Sequence, residues 1–244
     1  MVDAIFAEPR LAEVYDPLDP DRSDLDAYAA MVDEFGAHSV LDIGCGTGTF
    51  ACLLARRGLT VTAVDPAQAS LAVAQTKPGA ERVRWLHGYA TDRPPLQVDL
   101  ATMTANVAQV FVTDREWAST LRAIYVALRP GGRLVFETRD PAAKAWLEWN
   151  RERSYQRIVV AGVGAVQAWV ELLDVNGQLV WFRSIFVFEA DGAVLTSHST
   201  LRFRHQDEVI ASLAAAGYLV DEVRQAPDRP GRELVFIARR AGVG

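Results

Sequence analysis

The chain has 244 residues, half of them hydrophobic, with a formal net charge of −6 at pH 7 and a pI near 5.3. That length and apolar content suffice for one sizeable core, and the acidity speaks against a chain that grips nucleic acid by its phosphates. Two cysteines, Cys45 and Cys52, are too few for a disulfide scaffold and lack zinc-site spacing, so no metal is expected and a reducing, cytoplasmic setting fits.

The first 35 residues carry ten acids against Arg10 and Arg22, the pattern of a solvated, mobile arm. They begin with neither a basic stretch nor a long apolar one, and no run in the chain approaches the roughly 20 apolar residues of a membrane span. Ser23 with Asp26 reads as a capping-box start, Gly36 as a stop, and Leu25, Tyr28, Met31 and Val32 as the apolar face of a helix between them.

From residue 39 onward, strands and helices alternate. SVLDIG is a short run suited to a strand buried on both faces. TFACLLARRG is a helix, TVTAVD a strand, and PAQASLAVAQTK a helix with Pro66 at its first position. ERVRWLHG and VDLATMT are strands three and four, DREWASTLRAIYVAL is a helix opened by Asp114, and RLVFET is strand five. Such alternation implies a parallel sheet with helices on both faces.

After Asp140 the pattern changes. DPAAKAWLEWNRER reads as one further helix, and three β-like runs follow, separated by the hairpin signals VNG and ADG. HQDEVIASLAAAG returns to helix, and YLVDEVRQ with RELVFIARR completes the sheet. The expected divisions are an N-terminal arm and helix (1–36), an α/β core (37–140), a helix with an antiparallel β insertion (141–204), and a C-terminal completion of the core (205–244).

The strand-to-helix turn VLDIGCGTGTF places Asp42, Gly44, Gly46 and Gly48 in a D-x-G-x-G-x-G pattern. Glycines there permit left-handed backbone and close approach of a ligand, and the helix that follows offers unpaired N–H groups. A nicotinamide fingerprint would want glycine where Thr49 stands, so an oxidoreductase is the weaker reading. Asp65 ends the second strand about 20 residues on, where a carboxylate can accept both hydroxyls of a ribose.

This stretch, with Asp65 and LRPGGRLVFE at 128–137, resembles the class I S-adenosylmethionine-dependent methyltransferases of small-molecule type, over residues about 36–140. The resemblance implies a Rossmann-like, seven-stranded, mostly parallel α/β sheet with helices on both faces, its last strand antiparallel, plus an inserted β meander. It implies S-adenosyl-L-methionine as cofactor, a small-molecule acceptor, no nucleic-acid or membrane partner, and a possible homodimer through the insertion. By the same resemblance Asp42, Gly44, Cys45 and Gly46 lie along the methionine part and ribose. Asp65 holds the ribose hydroxyls and Pro66 leans on the adenine. Ala90 and Thr91 belong to the adenine loop GYATD, where Tyr89 replaces the usual acid and Asp92 is a substitute. Thr104, Ala105 and Asn106 meet methionine and substrate.

No general base stands out. The catalytic candidates are Tyr15, in an N-terminal segment that in such enzymes folds over the cofactor, Asn106, and His198, on the polar face of its strand. His87 and His205 read as structural. Glu137 and Arg139, at the carboxyl end of strand five, are substrate candidates or a buried ion pair. Trp146 and Trp149 are candidates for an aromatic wall over the acceptor, or for core packing. A cofactor-binding module without catalysis is a further alternative.

Overall fold

A computed structural model describes residues 2–242. Its centre is a seven-stranded sheet built from β1 (Ser39–Ile43), β2 (Thr60–Asp65), β3 (Val83–His87), β4 (Val98–Met103), β5 (Leu128–Arg139), β10 (Tyr218–Gln225) and β11 (Glu233–Arg240). The strand order is β10-β11-β5-β4-β1-β2-β3. Only β11 runs against its neighbours; the pairs β1–β2, β1–β4, β2–β3 and β4–β5 are all parallel.

Alternation along β1 shows how the sheet is buried on both sides. Leu41 and Ile43 join one core with Trp117, Leu121 and Ile124 of helix α6 (Asp114–Ala127) and Val209 and Leu213 of α8 (Gln206–Ala215). Val40 joins the other with Leu25, Tyr28 and Val32 of α3 (Asp24–Glu34) and Phe50 and Leu54 of α4 (Thr49–Arg56). Period two in the strand meets period 3.6 in the helices, which is what a two-layer core requires.

Several local readings need correcting. Helix α3 ends as expected in a Schellman turn: Ala37 N–H donates to the Val32 carbonyl and Gly36 N–H to that of Asp33, each at 3.0 Å. Its start is not a capping box, because Ser23 already has helical backbone angles and its side chain caps nothing. The helix after Pro66 is α5 (Gln68–Ala74), which begins two residues later because Asp65 draws the Ala67 N–H to its carboxylate at 2.7 Å.

The expected helix over 140–153 is instead broken into 3-10 turns at Pro141–Ala143 and Ala145–Glu148 and a short helix, α7 (Arg151–Ser154). The breaks fall at Lys144, which is left-handed, and at Asn150, whose side chain accepts the Arg153 N–H at 3.1 Å. Packing decides this: Trp146 sits edge-on to Phe203, and Trp149 against Phe182.

The insertion holds four strands, not three: β6 (Gln156–Val160), β7 (Gly164–Asn176), β8 (Leu179–Phe188) and β9 (Val194–Arg202), in that order and antiparallel throughout. The N-terminal stretch is not a loose arm. It folds into α1 (Ala4–Ala7) and α2 (Pro9–Leu18), and Leu11 and Val14 are buried against Val166, Phe186 and Phe188 of the insertion. Glu13 of α2 faces outward, Asp16 accepts from the Thr47 hydroxyl at 2.6 Å and pairs with Lys77, and the apolar stripe meets the meander, so the high charge does not mark a loose segment.

Candidate functional site

Strand order reverses between β4 and β2 on either side of β1, and at the carboxyl end of that switch lies a cavity of about 630 Å³. Its floor is the glycine turn, Gly44 to Thr47 with Thr49 and Phe50. Asp65 and Pro66 close one side, with Tyr89 and Thr91 beyond them; Thr104, Ala105, Val107, Val110 and Phe111 form the opposite wall. Val2, Asp3, Phe6, Tyr15 and Arg22 from the N-terminal segment cover it, Thr200 of β9 adds one contact, and Arg115, Glu116, Ser119 and Thr120 of α6 make the rim.

The three glycines of the turn are all left-handed, with φ of 66°, 52° and 74°, yet they do different work. A Cβ on Gly44 would fall 2.7 Å from both methyl carbons of Val107. One on Gly48 would fall 2.5 Å from Trp85 and 2.7 Å from Ala74. Those two glycines are therefore needed for packing within the protein. A Cβ on Gly46 would meet nothing within 4 Å, and the residue lines the cavity, so there the bare backbone faces open space. Helix α4 then starts with no side-chain cap, leaving first-turn N–H groups at the cavity floor.

Asp65 binds the turn directly. One carboxylate oxygen accepts Gly46 N–H at 2.8 Å and the other accepts Ala67 N–H at 2.7 Å. Burial raises its pKa, and the two backbone bonds oppose that rise. A carboxylate offers about four lone-pair sites, so acceptor capacity remains on the cavity side. The donor set and the uncovered Gly46 backbone fit a ribose held between them.

Asp42 is almost wholly buried within the sheet. Thr102 donates to it at 2.9 Å, and desolvation pushes its pKa up to about 7. It lies beneath the cavity rather than on its surface. Cys45 lines the cavity, but burial holds its thiol well above the usual range, so it is no nucleophile at neutral pH. Tyr15 lines the cavity with its phenol pKa raised, chiefly by burial; among the described residues its hydroxyl has no hydrogen-bond partner.

Other candidates fall outside the cavity. Asn106 is buried, and its amide donates to Glu233 at 3.2 Å. Glu137 accepts from Asn106 N–H and from the Tyr28 hydroxyl, and Arg139 is paired with Glu233 and donates to Gln109 at 2.9 Å. Glu137 and Arg139 are thus neither cavity contacts nor an ion pair with each other: both are engaged, but each with other partners. Trp146 and Trp149 lie in the aromatic cluster with Phe203 and Phe182, away from the cavity. His198 is exposed and faces solvent opposite Arg183.

In the adenine-loop segment Ala90 is buried behind Tyr89 and Thr91, which reach the cavity. Asp92 turns back on its own loop to accept Tyr89 N–H at 3.0 Å. His87 meets the Pro66 carbonyl at 3.1 Å, and the His205 N–H donates to Glu208 at the start of α8.

The glycine turn with its open Gly46, the acid closing β2 and the strand order together define a nucleoside-type cleft. Residues 40–132 match the sequence profile of a family described as methyltransferase domain. Over that stretch the chain is similar to a methyltransferase domain. A stretch of 113 residues is 34% identical to a ubiquinone biosynthesis O-methyltransferase of Pseudomonas putida, covering 44% of this chain and 47% of that protein. A methyltransferase of a Geobacillus strain is 33% identical over 106 residues, 42% of each chain. The chain thus aligns with under half the length of these curated relatives.

In fold the likeness runs further than the methyltransferase domain alone. An S-adenosylmethionine-dependent methyltransferase from Clostridium acetobutylicum superposes with a TM-score of 0.73 over 96% of this chain and 98% of that one, at 16% identity. A sugar N-methyltransferase of a Streptoalloteichus species gives 0.75 over 94% and 93%, at 23% identity. The insertion and the N-terminal helices are therefore part of a shared fold.

Sequence reading missed much of the lining away from the glycine turn: Phe6, Val107, Val110, Phe111 and Thr200. It also missed Arg22, Thr47 and Thr49 on the glycine-turn side. A signal existed for the last three. Thr47 and Thr49 interleave the glycines, and Arg22 is one of two cations among ten acids.

Proposed function

We propose that this protein transfers a methyl group from S-adenosylmethionine to a small-molecule acceptor by in-line displacement. The observation that carries the reading is the uncovered backbone of Gly46 beside the Asp65 carboxylate, inside a methyltransferase domain. When bound, S-adenosylmethionine supplies an activated methyl group on a sulfonium centre. Asp65 would hold the ribose hydroxyls, Pro66, Tyr89 and Thr91 would flank the adenine, and the Gly44–Gly46 turn would lie along the methionine part. Arg22 is the cation on this side of the cleft, suited to a carboxylate.

The acceptor would rest on Phe6, Val107, Val110 and Phe111, with Asp3, Tyr15 and Thr200 as the polar groups that orient it. This lining suits a partly apolar molecule with a hydroxyl or amine. Tyr15 keeps its proton at neutral pH, because burial raises its pKa, so it acts by donating a hydrogen bond and not as a base. Covering the cleft with α1 and α2 excludes water, and alignment of that kind accounts for roughly 7–11 kcal/mol of a barrier.

Among the described residues no helix is long and apolar enough to cross a membrane. Two free thiols and a net charge of −6 suit a cytoplasmic enzyme without a nucleic-acid partner. The bare edge strand β6, with Val159 75% exposed, is where a second copy would pair, and light scattering decides it.

The test of the function is calorimetry with S-adenosylhomocysteine and with NAD, followed by product analysis over a panel of phenols, amines and amino sugars. Binding of S-adenosylhomocysteine with turnover of at least one acceptor is expected. Binding of NAD instead would replace the reading by an oxidoreductase, and binding without any turnover would favour a non-catalytic module.

A further inference from the structure

The carboxyl end of β4 makes an uncommon turn. Ala105 and Asn106 are both left-handed, with φ of 55° and 61°, and neither is glycine. Two such residues in succession are disfavoured for L-amino acids and persist only where the surroundings enforce them.

What enforces them is Glu137 on β5. Its Oε1 accepts Asn106 N–H at 3.2 Å, and the Tyr28 hydroxyl of α3 donates to Oε2. The Asn106 amide is tied in turn to Glu233, which Arg229 holds at 2.9 Å and Arg139 at 3.7 Å. Arg139 thus serves Glu233, and Glu137 is left without a cation of its own. A buried carboxylate in that position is costly unless its acceptor oxygens are needed.

They are needed at the cleft. On the opposite side of the turn, Thr104, Ala105 and Val107 line the cavity, and Val107 packs directly on Gly44. The turn therefore touches both the glycine floor and the acceptor wall.

We propose that Glu137 is a positioning residue: it touches neither cofactor nor acceptor, but clamps the Ala105–Asn106 turn in its left-handed shape and so sets the distance between the two halves of the cleft. The effect on catalysis rests on the methyl-transfer reading above; the clamp itself does not. Burial and the neighbouring Glu233 hold the Glu137 carboxyl up at about 7. Its Oε1 accepts the Asn106 N–H whether or not Oε2 carries a proton toward Tyr28, so the clamp works by acceptor geometry and not by charge.

The test uses three variants of the full chain. Glu137→Gln keeps a carbonyl acceptor for the turn, with its amide able to donate to the Tyr28 oxygen. It is expected to hold wild-type kcat and slow amide exchange at Ala105 and Asn106. Glu137→Leu removes the clamp: exchange at those two amides should accelerate by about two orders of magnitude. Its kcat should fall by about 30-fold or more, with the affinity for S-adenosylhomocysteine nearly unchanged. Adding Ala105→Gly to Glu137→Leu should restore most of the lost kcat, because glycine takes the left-handed shape unaided.

Where the leucine variant does not fold, Tyr28→Phe/Glu137→Leu avoids the unpaired hydroxyl and takes its place. Unchanged exchange in the leucine variant, or a glutamine variant as impaired as the leucine one, overturns the clamp. If the wild type transfers no methyl group, the functional reading fails, and exchange in the ligand-free protein still decides the clamp.

Discussion

The two walls of the cleft are made in opposite ways. The glycine-turn wall comes from one short stretch, residues 44–50, with Asp65 added, and much of what it presents is main chain. The remaining lining comes from segments nearly 200 residues apart, Phe6, Val107, Val110, Phe111 and Thr200, and it presents side chains. A wall of backbone constrains its residues to glycine, small or acidic types and fits one ligand shape. A wall of side chains can change residue by residue while the fold persists. One architecture can accordingly keep its methyl donor while its acceptors vary.

Four substitutions or titrations probe this contrast. The largest effect should come from the body behind the side-chain wall. Phe186, fully packed against Leu11 and Val14, is expected to cost about 3–5 kcal/mol on replacement by alanine, measured by chemical denaturation. An unaltered midpoint would mean that the N-terminal helices are not seated on the insertion.

Next comes the backbone wall. Gly46→Val should weaken S-adenosylhomocysteine binding by at least about 100-fold, since the new side chain enters the cleft and meets no protein atom. Both valines carry the strain of a left-handed backbone, but the change at Gly48 should lower the melting temperature much further, because it also collides with Trp85 and Ala74. If both variants lost binding alone, the division of labour among the glycines would be wrong.

Asp65→Ala is expected to reduce cofactor affinity by about 1–3 kcal/mol in calorimetry, through the lost ribose acceptor and the freed Gly46 and Ala67 N–H groups. Equal affinity would remove Asp65 from the ribose site.

The smallest effect is a pH slope. Asp42 and Glu137 are both held up at about 7, with burial the first cause in each. Between about pH 4 and 7 the folded chain therefore binds more protons than the unfolded one. The stability these groups contribute is complete below pH 4 and is lost as pH rises through 7. Melting temperature should fall over pH 5 to 8 from this source, and Asp42→Asn or Glu137→Gln should flatten the slope. A slope identical in both variants would assign it to other groups.

What could be read in advance follows the same division. The alternating core and the glycine turn rest on short-range pattern: Val40 and Leu41 fall on opposite faces because neighbours in a strand must, and the D-x-G-x-G-x-G spacing is local. The stretch 141–154 resisted reading because its helical periodicity loses to Trp146 and Trp149, which dock on aromatic residues 33 or more positions away. Strand β6, half exposed and flanked by charge, carries no alternation strong enough to announce itself. Tyr15 was singled out and does line the cleft, whereas His198 shows how an apt residue type can still face solvent.

The seating of Leu11 and Val14 on Phe186 and Phe188 has a practical corollary for anyone recombining enzymes of this shape. The amino-terminal helices and the meander form a matched set, although nearly 140 residues separate them in the chain. Grafting either one alone into a relative would mate a foreign ridge with a native groove, so a chimera built to alter substrate choice should exchange both pieces at once.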